Sequence, residues 1–510
     1  MPESSASREA KLIEQLGQAT ERIIAVEREN ALLREKINHL LRKLFGAKSE
    51  KLDPEQLMFL LQGLDAPGKA PEPVAAEAPR RSTVPSPPRE RGPRLPEHLP
   101  VIEEVIEPEQ VKLAPQDWRR IGEEVSERLD YEPARFLRRR TVRPKYVHRR
   151  EIDAVPIVAP LPPCILERGI ASSGLVAQIL VGKYCDHLPL YRQESIYWSR
   201  YGVWLPRQTM AEWVGLAADW LKPIYDAIRG EVFSRGYVQI DETPIRYLAP
   251  GNGKARQGYF WTSSDPAGDV VFQWQTSRAA SCLEKVVPVD FSGVIQADGY
   301  EAYDRFARDR GSRIQLAACM AHVRRKFYEA QEHAPKVIAW ILRQIAHLYA
   351  IEQKLRQSRA GPQLREAARA SGSRPILARL HRTLVRLKNG RRLLPQSSIG
   401  KAIDYALRQW PGLLVFLGDG RLEIDNNRVE NAIRPTAVGK KNWLFIGEAA
   451  AGDRSAIIYT IIEACRRRGI DPFTYLRKVL TRLPSMTNWQ IKDITPAAWA
   501  KAQHLARAAA

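Results

Sequence analysis

The 510-residue sequence predicts an α/β protein, on three observations. Two apolar runs that end in acids, Tyr237-Val238-Gln239-Ile240 before Asp241 and Val294-Ile295-Gln296-Ala297 before Asp298, lie within a block of β-like segments. A third acid, Glu430, follows the capping-type cluster Asp425-Asn426-Asn427 at the head of a helical pattern. Helical stretches precede, interrupt and follow the block. Two strand-end aspartates and a helical glutamate can converge on a pair of divalent ions, and such a pair serves the cutting and joining of phosphodiesters. Hard oxygen donors select Mg²⁺ or Mn²⁺ over zinc, two ions in all.

The elements follow in order. Mostly apolar residues recur at heptad spacing through Leu16, Ile23, Val26, Asn30, Leu33, Ile37, Leu40 and Leu44, which predicts a coiled coil over 8–52. In that register Ile23, Asn30 and Ile37 are a positions and Leu33 and Leu40 are d. Asn30 is then the single buried polar a residue that sets a parallel dimer in register. Residues 65–100 are rich in Pro, Ala, Glu and Arg and poor in large apolar side chains, so they read as a linker.

Residues 101–160 form a small basic β-rich region. Its cations Arg138, Arg139, Arg140, Arg143 and Lys145, interleaved with Phe136 and Tyr146, suit DNA phosphates; a solvated charged strand face is the alternative. A helical region, 168–233, contains a bipartite piece: Leu190–Arg200, a break at 201–206, and Arg207–Leu221 with Pro223 just beyond. A helix-turn-helix reading puts Arg207, Gln208 and Thr209 at the start of the recognition helix.

From Gly236 three strand-like runs, a helix near Arg278–Val287 and a further strand at Gly293–Ala297 follow the order of a ribonuclease-H-like core, assigned to 236–326 and 418–465. A basic helical insertion, 327–417, separates the second acid from the third. A helical tail covers 466–510.

Each acid also has a plainer role, since an Asp at a strand end commonly caps a turn or a helix. Glu430 is preferred over Glu423 and Asp425 because Asp425 or Asn426 stands at the N-cap, whereas Glu430 lies a turn further in. Arg434, four residues on, pairs with Glu430 or meets a DNA phosphate near the last turn before Pro435. Lys440 and Lys441 are candidates for gripping DNA, with Trp443 beside them read as core. Cys319 and His322 have C-x-x-H spacing and read as structural.

The net charge of +21 favours a polyanion, and double-stranded DNA over a membrane. The first residues lack the apolar core of a signal peptide and no later run is long enough for a membrane span. Five scattered cysteines indicate neither a disulfide framework nor a four-cysteine zinc site, and fit a reducing cytoplasm.

Several runs together resemble the DDE transposases of the bacterial insertion sequence 66 family. They include Lys43-Leu44-Phe45-Gly46-Ala47-Lys48-Ser49-Glu50-Lys51, Asp186-His187-Leu188-Pro189-Leu190-Tyr191-Arg192-Gln193, Asp241-Glu242-Thr243-Pro244 and Ala297-Asp298-Gly299-Tyr300. Cys319 to Phe327 and Asp425 to Pro435 add two more. The resemblance implies Asp241, Asp298 and Glu430 as the metal-binding triad of an enzyme that cuts and joins the ends of a mobile element. It also implies partners: element ends and target DNA, a second copy of the chain at least, and accessory proteins of the same element. The implied location is a bacterial cytoplasm, with the nucleoid when bound. Family members carry a cysteine-bearing zinc motif before the DNA-binding helices, but here Ala114, Asp117, His148 and Glu151 occupy those places, and zinc is not supported. The rival readings are a nuclease that cuts without joining, and a DNA-binding regulator or inactive remnant.

Overall fold

The computed structural model describes residues 95, 97, 99–132, 135–149, 155–167, 169–249, 254–332, 334–390 and 394–509. The coiled-coil positions Ile23, Asn30, Leu33, Ile37 and Leu40, and nearly all of the linker, lie outside the described residues. The described residues belong to the unit Glu90–Ala510.

The first sheet takes strands β1 (Val101–Val105), β2 (Trp118–Glu132), β3 (Arg135–His148) and β4 (Ile157–Val158). The long β2 and β3 pair antiparallel, with β1 parallel along β3. Helices α1 (Ser173–Tyr184), α2 (Leu190–Tyr201) and α3 (Arg207–Ser234) follow. Between α2 and α3 the chain turns on Gly202 at φ 64, a left-handed conformation that costs glycine little. The second helix does not stop at Pro223, as its sequence suggests, but runs on to Ser234. Pro223 leaves the carbonyl of Asp219 without a helical donor, and Asp219 is on the exposed face where water serves instead.

The second sheet has the order β7-β6-β5-β8-β9, formed by β5 (Tyr237–Leu248), β6 (Ala255–Ser264), β7 (Val270–Gln275), β8 (Gly293–Ala297) and β9 (Ile314–Ala318). The β5-β6-β7 meander is antiparallel, while β5-β8 and β8-β9 are parallel. Helices α4 (Ala280–Val286) and α5 (Glu301–Arg310) make the crossovers. Alternation along β5 and β8 sends Val238, Ile240 and Ile295 into a core shared with α3 and with α12 (Ala449–Arg466). Tyr237 and Val294 face the opposite core, which contains the helices after β9. The edge strand β7 is covered by α12, whose Thr460 Oγ1 accepts the Phe272 N–H at 2.9 Å.

After β9 come α6 (Met320–Glu329), α7 (Pro335–Gln357), α8 (Pro362–Ala368), α9 (Arg374–Asn389) and α10 (Ser398–Arg408). A π-helical turn at Arg369–Ser373 joins α8 to α9. Helix α11 (Asn427–Trp443) carries the third acid. It too passes through a proline. Pro435 frees the carbonyl of the exposed Asn431, so the helix continues and Arg434 sits in its middle, not near its last turn.

The C-terminal residues form α13 (Pro472–Arg482) and α14 (Pro496–Ala509). Tyr475, Leu476, Val479 and Leu480 are fully buried in the first core, so α13 is part of the packed body. Among the described residues no helix is long and apolar enough to cross a membrane.

Candidate active site

The parallel register of β5 and β8 sets Gln239 beside Gln296. Asp241 and Asp298 follow two residues later along the chain, just beyond the paired stretch. Asp298 is the first residue past β8, as its sequence suggests. Asp241 is not a strand end: β5 continues to Leu248 through Pro244. That proline is tolerated because β8 pairs only with Tyr237, Val238 and Gln239, so Pro244 has no neighbour on that side needing its missing N–H. Both acids also serve their own backbone. Asp241 Oδ1 accepts the Glu242 N–H and Asp298 Oδ1 the Tyr300 N–H, each at 2.9 Å, which leaves Oδ2 of each for other work.

The same two glutamines draw the third acid in. Gln239 Nε2 donates to the carbonyl of Asp425 at 2.8 Å, and Gln296 Nε2 to that of Glu423 at 2.9 Å. Met320 N–H adds a bond to the Ile424 carbonyl at 3.1 Å. The segment 423–425 is thereby tied to β5 and β8, and α11 starts from it with Asn426 at the N-cap position. Both rivals of Glu430 are engaged: Glu423 pairs with Arg356 and Arg365, each at 3.3 Å, and Asp425 binds Asn427 N–H and Nδ2. Glu430, in the first turn, keeps a buried Oε1 with no hydrogen bond. Its nearest basic groups are the imidazole Nε2 of His322 at 3.7 Å and the Arg325 guanidinium at 3.8 Å.

The three acids feel one another. Burial, then the charges of Glu242, Glu430 and Asp298, push the Asp241 carboxyl up to about 8. Burial also raises Glu242 against the pull of Arg278. Burial lowers His322, keeping its imidazole neutral, and pushes the Cys319 thiol up to about 12. A ring nitrogen of His322, Cys319 Sγ and a Glu430 oxygen lie within 4.8 Å of one another, the trio among the described residues with such spacing; Asp241 and Asp298 are not part of it.

Several neighbours escape a sequence reading. Glu242 is buried, takes an ion pair from Arg278 and accepts the Tyr303 hydroxyl at 2.9 Å. The Arg278 guanidinium stacks over the Tyr300 ring at 3.9 Å and comes within 3.9 Å of Asp298 Oδ2. The only signal for them is adjacency: Glu242 follows Asp241, and Tyr300 and Tyr303 follow Asp298.

The remaining sequence candidates are scattered. Arg138 and Arg140 pair with Glu127, Arg139 with Asp130, and Arg143 and Lys145 with Glu124, all across the β2–β3 hairpin. The five cations share three acids, so their charge is matched only in part. Arg207 and Gln208 are exposed at the start of α3 and Thr209 is half-buried. Arg434 is exposed and has no acidic partner among the described residues, so it does not form the i to i+4 pair with Glu430. Lys440 Nζ reaches the Pro244 carbonyl at 3.2 Å, Lys441 is exposed, and Trp443 packs half-buried against the first core. Around the altered zinc-motif positions, Ala114 follows a short helical turn, His148 lies edge-on to Trp118 at 5.2 Å, and Glu151 is outside the described residues.

Comparison with known sequences gives these positions a family. The profile described as "Transposase IS66 family" matches residues 168–454, "IS66 C-terminal element" matches 460–497, and "Transposase C of IS166 homeodomain" matches 32–103. Among curated proteins of Sinorhizobium fredii, the uncharacterized protein y4jD is 36% identical over 94% of this chain and 96% of its own length. The uncharacterized protein y4qI is 35% identical over 97% of this chain and 94% of its own. With one profile spanning more than half the residues and full-length relatives at this identity, the chain belongs to the IS66 family of transposases.

Proposed function

We propose that the chain binds the ends of a mobile DNA element and carries out metal-dependent strand cleavage and strand transfer on a ribonuclease-H-like sheet, with Asp241, Asp298 and Glu430 as its triad. What supports the reading is that the Asp241 carboxyl is raised by burial and then by the charges of Glu242 on β5, Glu430 on α11 and Asp298 at the end of β8. The antiparallel-then-parallel strand order, with Asp241 on β5 and Asp298 just past the end of the neighbouring β8, supports it.

The donor set suits Mg²⁺ or Mn²⁺: three carboxylates, one with an orphaned buried oxygen, and spare Oδ2 atoms on the other two. Bound divalent ions supply activation of water or a 3′ hydroxyl and stabilisation of the leaving oxygen. The chain's own residues do the positioning. Gln239 and Gln296 hold the entry to α11, while Glu242 and Tyr300 hold Arg278 at the rim, where its guanidinium suits a phosphate oxygen. Arg434, Lys440 and Lys441 offer further phosphate contacts along α11. Arg207, Gln208 and Thr209 are the candidates for base contacts, and the N-terminal heptads for pairing two chains. The cations of β3, five to three partner acids, keep a net positive charge that also suits phosphates.

The test is Glu430→Gln in a strand-cleavage assay on labelled element ends with Mg²⁺. Lost cleavage with retained end binding is expected; normal cleavage removes Glu430 from the mechanism. A strand-transfer product in the wild-type reaction separates this reading from a nuclease that only cuts, and metal-dependent nicking of labelled DNA separates it from a regulator. Arg434→Ala is expected to weaken end binding evenly across sequences and to lower the slope of log affinity against log salt by about 1, as one lost phosphate contact does. Titrations at several salt concentrations check it.

A further inference from the structure

The carboxylate centre is made of hard donors, yet Glu430 stands at the same time among soft ones. We propose that Cys319, His322 and Glu430 form a second cation site, of the Zn²⁺ type, which shares Glu430 with the carboxylate centre. The sequence reading assigned Cys319 and His322 a structural role, and nothing in the triad's chemistry uses either of them.

The site is built by a helix start. Cys319 occupies the N-cap position of α6 and His322 its first turn, so the i to i+3 spacing puts thiol and imidazole on one face. Glu430 reaches that face from the first turn of α11. His322 Nε2 and Glu430 Oε1 are 3.7 Å apart, close to the edge of a tetrahedron with metal–ligand bonds of about 2 Å. With the sulfur all three donors fall within 4.8 Å, so side-chain adjustments of about an ångström close the site.

Two further features fit a ligand. The Asn426 N–H points at Cys319 Sγ at 3.5 Å, the kind of outer-shell support that metal-bound thiolates receive. Glu430 Oε1 and His322 Nδ1 are buried and lack hydrogen-bond partners, which costs free energy unless something engages them. Three protein donors leave a fourth position open. Mg²⁺ avoids sulfur, so the two centres discriminate by softness, and filling the soft one withdraws Glu430 from the hard one.

Co²⁺ added to the full-length protein tests this, because cobalt bound by a thiolate gives a charge-transfer band that oxygen ligation does not. One Co²⁺ per chain with this band is expected. Cys319→Ser abolishes the band, and His322→Gln weakens cobalt binding at least about tenfold. Asp241→Asn keeps the band, which separates this site from the carboxylate centre. No band at saturating cobalt, or a band that survives in folded Cys319→Ser, overturns the proposal. The readout involves no DNA, so it stands or falls apart from the cleavage reading. Should Cys319→Ser fail to fold, judged by circular dichroism, the folded His322→Gln variant decides: undiminished binding there overturns the proposal too.

Discussion

Asp241→Asn is expected to cut strand cleavage by on the order of a thousandfold or more while making the metal-free protein more stable at alkaline pH. The first effect follows from removing a charged donor from the centre of the triad, since metal-assisted catalysis supplies several kcal/mol and about 1.4 kcal/mol is a factor of ten. The second has the opposite sign because the same carboxylate is a burden when no cation is bound. Its pKa in the fold is raised to about 8 by burial and by Glu242, Glu430 and Asp298. The unfolded chain releases this proton near pH 4, and the folded chain holds it until about pH 8. Between those values folding requires proton uptake, so this contribution is intact below the unfolded pKa and is lost as pH rises towards the folded one. An amide has no such dependence. Thermal unfolding in a chelator, at pH 5 and pH 8, should show wild type losing more than the variant over that interval, with a difference of a few kcal/mol. Mg²⁺ should then raise the wild-type midpoint and leave the variant's nearly unchanged, because a ligand that binds only the folded state stabilises it. Parallel pH dependences for the two proteins would remove the claim that the acids share a pocket.

How much of this was legible in the sequence depended on how local each cause was. The three acids stand out because each follows a signal within a few residues, an apolar alternating run or a capping cluster, and such signals survive without tertiary context. The proline positions misled for the same reason. Pro223 and Pro435 read as helix ends, yet the freed carbonyls lie on exposed turns. Whether a proline breaks an element depends on which neighbour needs its N–H, which a sequence does not state. The strand Ile314–Ala318 was missed because Ile-Gln-Leu-Ala-Ala has little alternation and its β character comes from pairing with β8. The β3 cations read in sequence as an unpartnered run; the register sets Glu124, Glu127 and Asp130 of β2 beside them, which no local pattern shows. Arg278 and Tyr303 reach Glu242 from 36 and 61 residues away. No local pattern carries such a contact.

Arg369→Ala is expected to destabilise the fold by about 3–5 kcal/mol, the cost of stranding a buried charge, and to lower cleavage at temperatures where the variant still folds. Arg369 and Glu352 are both completely buried. Its guanidinium donates to Glu352 at 2.7 and 2.9 Å and to the carbonyls of Phe416, Asp419 and Leu422 at 2.7, 3.0 and 2.7 Å. Despite burial, which alone would raise it, Arg369 and Arg365 hold the Glu352 carboxyl below its ordinary value. Alanine leaves Glu352 with only Arg365, at 3.1 Å, and orphans three carbonyls. Lysine should rescue poorly, because three donors on a flexible stem cannot replace a planar fork of five. Arg369→Met with Glu352→Leu should recover much of the loss, since removing both charges leaves neither stranded. The functional consequence follows from where those carbonyls lie: Phe416 to Leu422 leads directly into 423–425, from which α11 and Glu430 start. Arg369 therefore joins the helices after β9 to the third acid. Thermal unfolding of the single and double variants measures the first effect, and cleavage rate at a fixed temperature well below each midpoint measures the second. If stability falls while the cleavage rate of the folded fraction is unchanged, Arg369 supports the helical layer alone and does not position Glu430.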